Sequence, residues 1–183
     1  YILTLCPTVG LSDSGELAAV CATLGIAHPT GYPIYTLLGR VIVSMMPFVP
    51  PVVATNFMSA LFSALAAMTL FAIARLNGAS KITASIISLM FASGRIIWKE
   101  AVVTEVYGLS AFIQWSAVLA LLMWHRGKNP RWLLLSAYLW GIGFAHHMST
   151  ILFTPSIALI AIVDRRRLNG KLIALCSLLF VTA

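Results

Sequence analysis

Long apolar blocks separated by short polar breaks dominate the chain. The clearest block runs from Val52 to Ala74. As a helix rising ~1.5 Å per residue it is about 35 Å long, enough to cross a hydrocarbon core of ~30 Å. Pro47, Pro50 and Pro51 precede it and Arg75 ends it. A second block, Ile82 to Ile97, lies between Lys81 and the group Trp98-Lys99-Glu100. A third, from about Val106 to Trp124, stops at the polar stretch His125-Arg126-Gly127-Lys128-Asn129-Pro130-Arg131, which has the composition of a turn. The stretch from Trp132 to Val163 is too long for one ordinary span, and each half is slightly short for two. Dividing it at His146-His147 gives spans near 132–146 and 148–163, close to the lower limit of ~17 residues. The cluster Asp164-Arg165-Arg166-Arg167 follows, and a further span begins at Leu172 and runs to Ala183. Residues 1–11 read as the end of a preceding span. Residues 13–24 and 33–46 are apolar but interrupted by Gly31 and Pro33. They are expected to be two helices lying on the membrane interface, with Pro33 in the first turn of the second.

Composition agrees with this pattern. Of the 183 residues 60% are hydrophobic and 9% charged, where soluble domains carry about 25% charged residues. Too few charges remain to solvate a surface, so the bilayer is the expected solvent. The net charge of +7 would suggest nucleic acid in a soluble protein, but its placement gives another meaning. With alternating spans, one side receives Arg75, Lys81, Arg126, Lys128, Arg131, Arg165, Arg166, Arg167 and Lys171. The other receives Arg40, Arg95 and Lys99, a division of 9 against 3 of the 12 basic residues. The positive-inside rule makes the first side cytoplasmic, and no nucleic-acid partner is expected. A single span from Trp132 to Val163 would erase this bias. Asp13, Glu16, Glu100 and Glu105 then fall outside, with His28, His146 and His147. Cys6, Cys21 and Cys176 are odd in number and scattered, unlike a disulfide framework or a zinc site. The chain begins with Tyr1 and stops within an apolar run, and reads as a fragment of something longer.

The polar residues on the outer side carry the candidate chemistry. Asp13 and Glu16 are three apart and share a helix face. They have the types of a general base and its orienting partner, but equally the spacing of a capping box. His28-Pro29-Thr30-Gly31-Tyr32-Pro33 is a dense turn that presents His28 and Tyr32 on a constrained backbone, against the plainer reading of a connector between interfacial helices. Glu105-Val106-Tyr107 opens a span. A helix-dipole acid and an interfacial anchor would explain Glu105 and Tyr107 equally well. His146 and His147 are adjacent, so they make a poor chelating pair. They suit hydrogen bonding to a ligand or neighbouring helix, with metal binding a minority option. Arg40, Arg95 and Lys99 stand on the side that topology disfavours for cations. They either snorkel or meet a phosphate group. Asn56, inside the first long span, suits helix–helix contact better than a site.

Asp13-Ser14-Gly15-Glu16, His28-Pro29-Thr30-Gly31-Tyr32-Pro33, Thr36-Leu37-Leu38-Gly39-Arg40, Asn56-Phe57-Met58-Ser59-Ala60-Leu61, Glu105-Val106-Tyr107 and His146-His147 together resemble one family. This is the transmembrane protein O-mannosyltransferase-like family of glycosyltransferase-C membrane proteins. The resemblance covers nearly the whole chain, as the N-terminal part of a single multi-spanning domain. Two positions depart from the family pattern. Ser12 precedes Asp13 where an aromatic is usual, and Thr30 stands where the turn usually has proline.

The resemblance implies an all-α polytopic bundle of glycosyltransferase-C type with interfacial helices in the first external loop. It implies an enzyme that moves a sugar, such as mannose, from a polyprenyl-phosphate donor to a hydroxyl of a protein or glycan acceptor. Transfer would take place on the lumenal or periplasmic face, in the endoplasmic reticulum or a bacterial inner membrane. In this family type an Asp of the first external loop is the base, which places Asp13 in that role. Glu16 and His28 would then orient Asp13 or the acceptor, Glu105 and Tyr107 would line the sugar pocket, and Tyr32 is a further candidate for substrate binding. Arg95 and Lys99, with Arg40 and His146 behind them, would face the departing phosphate, and His147 is a further candidate for substrate binding. No cofactor is expected, and nothing in the spacing supports a divalent metal. A transporter is the alternative from another class, although the spans hold few ionisable residues. A scaffold subunit, whose carboxylates cap helices, is a third. Asp13→Asn separates the last from the enzyme, because Asn keeps a cap and removes a base.

Overall fold

A computed structural model describes residues 1–11, 13–29 and 31–183. The chain is 78% helical, with no strand among the described residues. The helices are α1 (Ser14–Thr23), α2 (Pro33–Met45), α3 (Pro51–Leu76), α4 (Lys81–Ser93), α5 (Arg95–Ala101), α6 (Tyr107–Gly127), α7 (Pro130–His146), α8 (Thr154–Val163) and α9 (Gly170–Val181). Several begin where local chemistry dictates. Pro33, Pro51 and Pro130 occupy first-turn positions where a missing N–H costs nothing. The side chains of Ser80, Asn129 and Asn169 accept from backbone N–H groups of Thr83, Arg131 and Leu172 and so cap α4, α7 and α9.

The helices α3 and α6 are each long and apolar enough to cross a membrane. The expected block 52–74 falls inside α3, and 106–124 overlaps α6. The block 82–97, read as continuous in sequence, is divided. It bends by 64° at Gly94 into α4 and α5, and together they make a third candidate crossing. The stretch 132–163 is also interrupted where the two histidines stand. His147 is extended (φ −153°, ψ 131°), Met148–Phe153 forms a 3-10 turn, and α8 follows. Residues 1–11, expected as the end of a span, contain the 3-10 turn Ile2–Thr4 and are otherwise non-helical. Docking explains this. Cys6 donates its N–H to the Val102 carbonyl (2.9 Å), and Asn56 Nδ2 donates to the carbonyls of Cys6 (2.8 Å) and Thr8 (3.4 Å). These bonds hold Cys6 and Thr8 against α3 and Val102 without a helix.

The centre of the bundle is the parallel pair α3 and α6. Small residues let them approach closely, as is usual between membrane helices. A Cβ on Gly108 would lie 2.6 Å from Ser63 Oγ and 2.8 Å from the Ser59 carbonyl. Ser136 Oγ donates to the Ala117 carbonyl and ties α7 to α6 (2.9 Å). Ser88 Oγ ties α4 to α3 through the Ala67 carbonyl (2.6 Å). Helices α1 and α2 stack on this pair. Leu17, Cys21, Tyr35 and Met58 share one core with Leu109 and Ile113. Meanwhile Ile82, Met90, Leu159, Ile162 and Leu178 are exposed. Apolar surface on that scale is costly in water and ordinary in lipid.

Pairing along the helices gives the bundle two ends. At one, Arg126 Nη2 donates to Asn77 Oδ1 (3.2 Å) and Arg167 Nη1 to the His125 carbonyl (3.0 Å). The three connections at residues 75–81, 125–131 and 164–171 therefore meet there. These connections contain the nine basic residues counted above. The opposite end gathers residues 6–11, 13–16, 28–29, 31–35, 100–107 and 146–150.

Candidate active site

This second end holds four of the five acidic residues. The site is built first on α1. Asp13 occupies its N-cap position, yet its side chain makes no capping hydrogen bond. Glu16 is not in a reciprocal box either. Its carboxylate turns to His28, accepting from the backbone N–H (2.7 Å) and from ring Nδ1 (3.0 Å). The capping arrangement read from spacing is therefore not the one the fold uses. The turn brings His28 back over the start of α1 and takes Glu16 out of the box.

Because Nδ1–H donates to the Glu16 carboxylate, Nε2 is the ring atom left facing the site. It lies 3.9 Å from Asp13 Oδ2 and 3.5 Å from the Tyr32 hydroxyl, the outer limit of hydrogen-bonding distance. Asp13 is half exposed, at 52%. Glu16 is held below its usual carboxylate range, first by the His28 backbone N–H and then by the ring.

Tyr32 joins this corner to the others. It stands at positive φ (44°) as the N-cap of α2, an uncommon conformation for a bulky residue. Its ring meets His28 edge-on (5.3 Å between centroids), His146 edge-on (6.1 Å) and His147 in a stack (6.2 Å). Tyr107 contacts His147 (5.6 Å). The expected residues His28, Tyr32, Tyr107, His146 and His147 thus form one aromatic cluster beside the two carboxylates.

Glu105 completes the polar rim. It is half-buried, and its carboxyl is pushed up to about 7, chiefly by burial, then by the charges of Glu100 and Asp13, with Lys99 opposing. The backbone around it is clamped. Ser59 Oγ accepts from the Glu105 N–H (3.0 Å) and donates to its carbonyl (3.1 Å). Thr104 Oγ1 donates to Asn56 Oδ1 (2.6 Å) and lies 2.7 Å from Thr55 Oγ1. His146, fully buried, donates from Nε2 to the Val106 carbonyl (3.1 Å). A carbonyl only accepts, so the His146 tautomer is fixed, and its Nδ1 is buried without a partner. His146 is thus a support for the segment 104–107. Sequence reasoning gave Thr55 and Thr104 no part and quoted Ser59 only within the motif that begins at Asn56.

The expected cations behave differently. Arg40 donates to the Ala22 carbonyl (2.6 Å) and closes the C-terminal turn of α1, away from the carboxylates. Lys99 is paired with Glu100 (3.3 Å) but remains 79% exposed. Arg95 opens α5 and is exposed. Beside them a cleft of about 410 Å³ runs between α3, the α4–α5 bend and α6. It is lined by Glu100, Tyr107, Ser63 and Gln114 on its polar side and by Phe91 and Ile97 on its apolar side.

Asp13, Glu16 and His28 each offer an atom within 4.8 Å of the others, the ligand types of a divalent-cation site. Glu16 and His28 already engage each other, and a cation would have to break that pair. Ser12 and Thr30, the two departures from the family pattern, lie outside the described residues.

Fold and site together define a helical membrane domain with its acid–base groups gathered at one end. The chain belongs to the family described as Protein O-mannosyl-transferase TMEM260 N-terminal domain, which matches residues 13–170. It is 35% identical over 111 residues to the protein O-mannosyl-transferase TMEM260 of Mus musculus, covering 60% of this chain and 16% of that protein. It is 30% identical over 112 residues to the protein of the same name from Dictyostelium discoideum, covering 60% of this chain and 14% of that one. The matched segment is thus about a sixth of these curated relatives. No solved structure matches.

Proposed function

We propose that this chain is the base-bearing part of a membrane mannosyltransferase that moves mannose from a polyprenyl-phosphate donor to an acceptor hydroxyl, on the lumenal or periplasmic face. The observation that carries the reading is Asp13. Its carboxylate caps nothing, is half exposed, and faces a histidine already oriented by Glu16. The names of the relatives support the reaction class and a protein acceptor. The mixed cleft beside Glu100 and Tyr107 suits an amphiphilic donor.

In this mechanism Asp13 accepts the proton of the acceptor hydroxyl while that oxygen attacks the anomeric carbon. The bond from the anomeric carbon to the phosphate oxygen breaks, the phosphate leaves with the electron pair, and configuration inverts. General-base action of this kind contributes roughly 10²–10⁴ in rate. The Glu16–His28 pair keeps the acceptor side of Asp13 polar and ordered. Glu105 and Tyr107 line the sugar. Lys99 and Arg95, both exposed near the cleft, approach the phosphate as its charge grows. The test is mannose transfer from polyprenyl-phosphate mannose by the full-length protein in membranes, wild type beside Asp13→Asn. Loss of transfer in a folded mutant is expected. Transfer that persists in Asp13→Asn moves the base elsewhere, to Glu16 or Glu105 first.

A further inference from the structure

At the basic end a groove of about 400 Å³ separates α6 from α8. Its walls are aliphatic, with Leu122 on α6 and Leu159 and Val163 on α8. Its polar rim is Asn77, His125 and Arg126. Leu159 and Val163 are among the exposed apolar residues of the chain, so the groove opens sideways onto the surface that faces lipid.

The charges around it are unbalanced. Asp164 is the single acid of this end, and it is buried and already paired at both oxygens. His125 Nδ1 donates to one of its oxygens and Arg167 Nη1 to the other (2.8 Å). Arg126 uses one donor on Asn77 Oδ1, and four of the five donors of a guanidinium remain. Lys128, Arg131, Arg165, Arg166 and Lys171 stand in the same three connections with no acid left to meet them. An apolar slot capped by a guanidinium, in a field of uncompensated positive charge, is complementary to a lipid whose headgroup is anionic.

We propose that this groove binds an anionic phospholipid of the cytoplasmic leaflet, with the headgroup phosphate on Arg126 and an acyl chain along Leu122, Leu159 and Val163. The proposal rests on the membrane orientation given by the basic residues and is independent of the transfer reaction. It differs from the topology signal itself, because it assigns the interaction to one arginine in one groove.

The experiment is native mass spectrometry of the full chain, released from phosphatidylcholine bilayers with and without phosphatidylserine. Wild type is expected to retain phosphatidylserine over phosphatidylcholine. Arg126→Gln keeps a donor for Asn77 but loses the charge, and is expected to lower that retention about tenfold, the value of one charge-assisted contact. Leu159→Trp fills the slot and is expected to do the same with every charge in place. Arg166→Gln, outside the groove, is expected to leave retention within about twofold. Equal losses from Arg126→Gln and Arg166→Gln would overturn the proposal in favour of diffuse attraction. Displacement of the lipid by inorganic phosphate would overturn it in favour of a plain anion site.

Discussion

The two ends of this bundle treat carboxylates in opposite ways. At the basic end Asp164 is 5% exposed and held by His125 and Arg167, and through them it ties α6 to the connection after α8. At the other end Asp13 is 52% exposed, caps nothing, and finds its nearest cation-forming group 3.9 Å away. A buried acid paired at both oxygens fixes geometry and offers a ligand no open approach. An exposed acid with neighbours at arm's length adds little to stability and keeps its lone pairs for a substrate. The contrast argues that the Asp13 end holds reactive groups and the Asp164 end holds the helices together.

Exchange of each aspartate for asparagine is the sharpest way to break that contrast. Asp13→Asn is expected to lower mannose transfer by about 10²–10⁴, with little change in thermal unfolding of the purified protein. Asp164→Asn is expected to do the reverse. It should cost about 1–2 kcal/mol, a value reduced because both partners are more than one-third exposed, and leave transfer within a few-fold. The contrast fails if both variants lose transfer to the same extent, or if Asp13→Asn unfolds the protein.

Asn56→Ala ranks next and tests what supports the reactive end. It leaves the Thr104 hydroxyl without its shortest contact (2.6 Å) and the Cys6 carbonyl without its side-chain donor. The expected cost is about 1–3 kcal/mol, seen as a lower unfolding temperature in detergent. Transfer should fall only as far as the unfolded fraction accounts for.

Which of these features could be read in the sequence follows from how local their causes are. The extents of α3 and α6 were legible, because prolines, charges and uninterrupted apolar length mark them within the segment itself. The bend at Gly94 was passed over because 82–97 is apolar on average, although Ser93-Gly94-Arg95 stands at the break and a Gly–Ser pair is a common kink site. Residues 1–11 look like span in composition, and their non-helical course depends on Asn56 and Val102, about 50 and 95 positions away. Asp13 and Glu16 were visible as a pair, but their spacing fits a capping box equally well. Only the return of His28 across the turn decides between the two. Asn56 was legible as a contact between segments, whereas its partner Thr104 has no mark in the sequence.

The smallest effect is a slope, and it separates the two acids that flank Asp13. Burial raises Glu105 from 4.5 to about 7 in the folded protein. Between those values the folded state binds more protons than the unfolded one, so ionising Glu105 destabilises the fold as pH rises through this window. Glu16 is shifted the other way. Its contribution is complete above 4.5 and is lost as pH falls through its lower folded value. The two windows therefore do not overlap. Unfolding temperature measured against pH, wild type beside Glu105→Gln, is expected to diverge between about 4.5 and 7, with the variant holding its stability as the wild type declines. The same scan of Glu16→Gln should match the slope of wild type in that range and diverge from it only below. A flat difference for Glu105→Gln would mean that its carboxyl is solvated in the folded protein. That would argue against its proposed place beside the sugar and leave Asp13 and Glu16 as the carboxylates available to it.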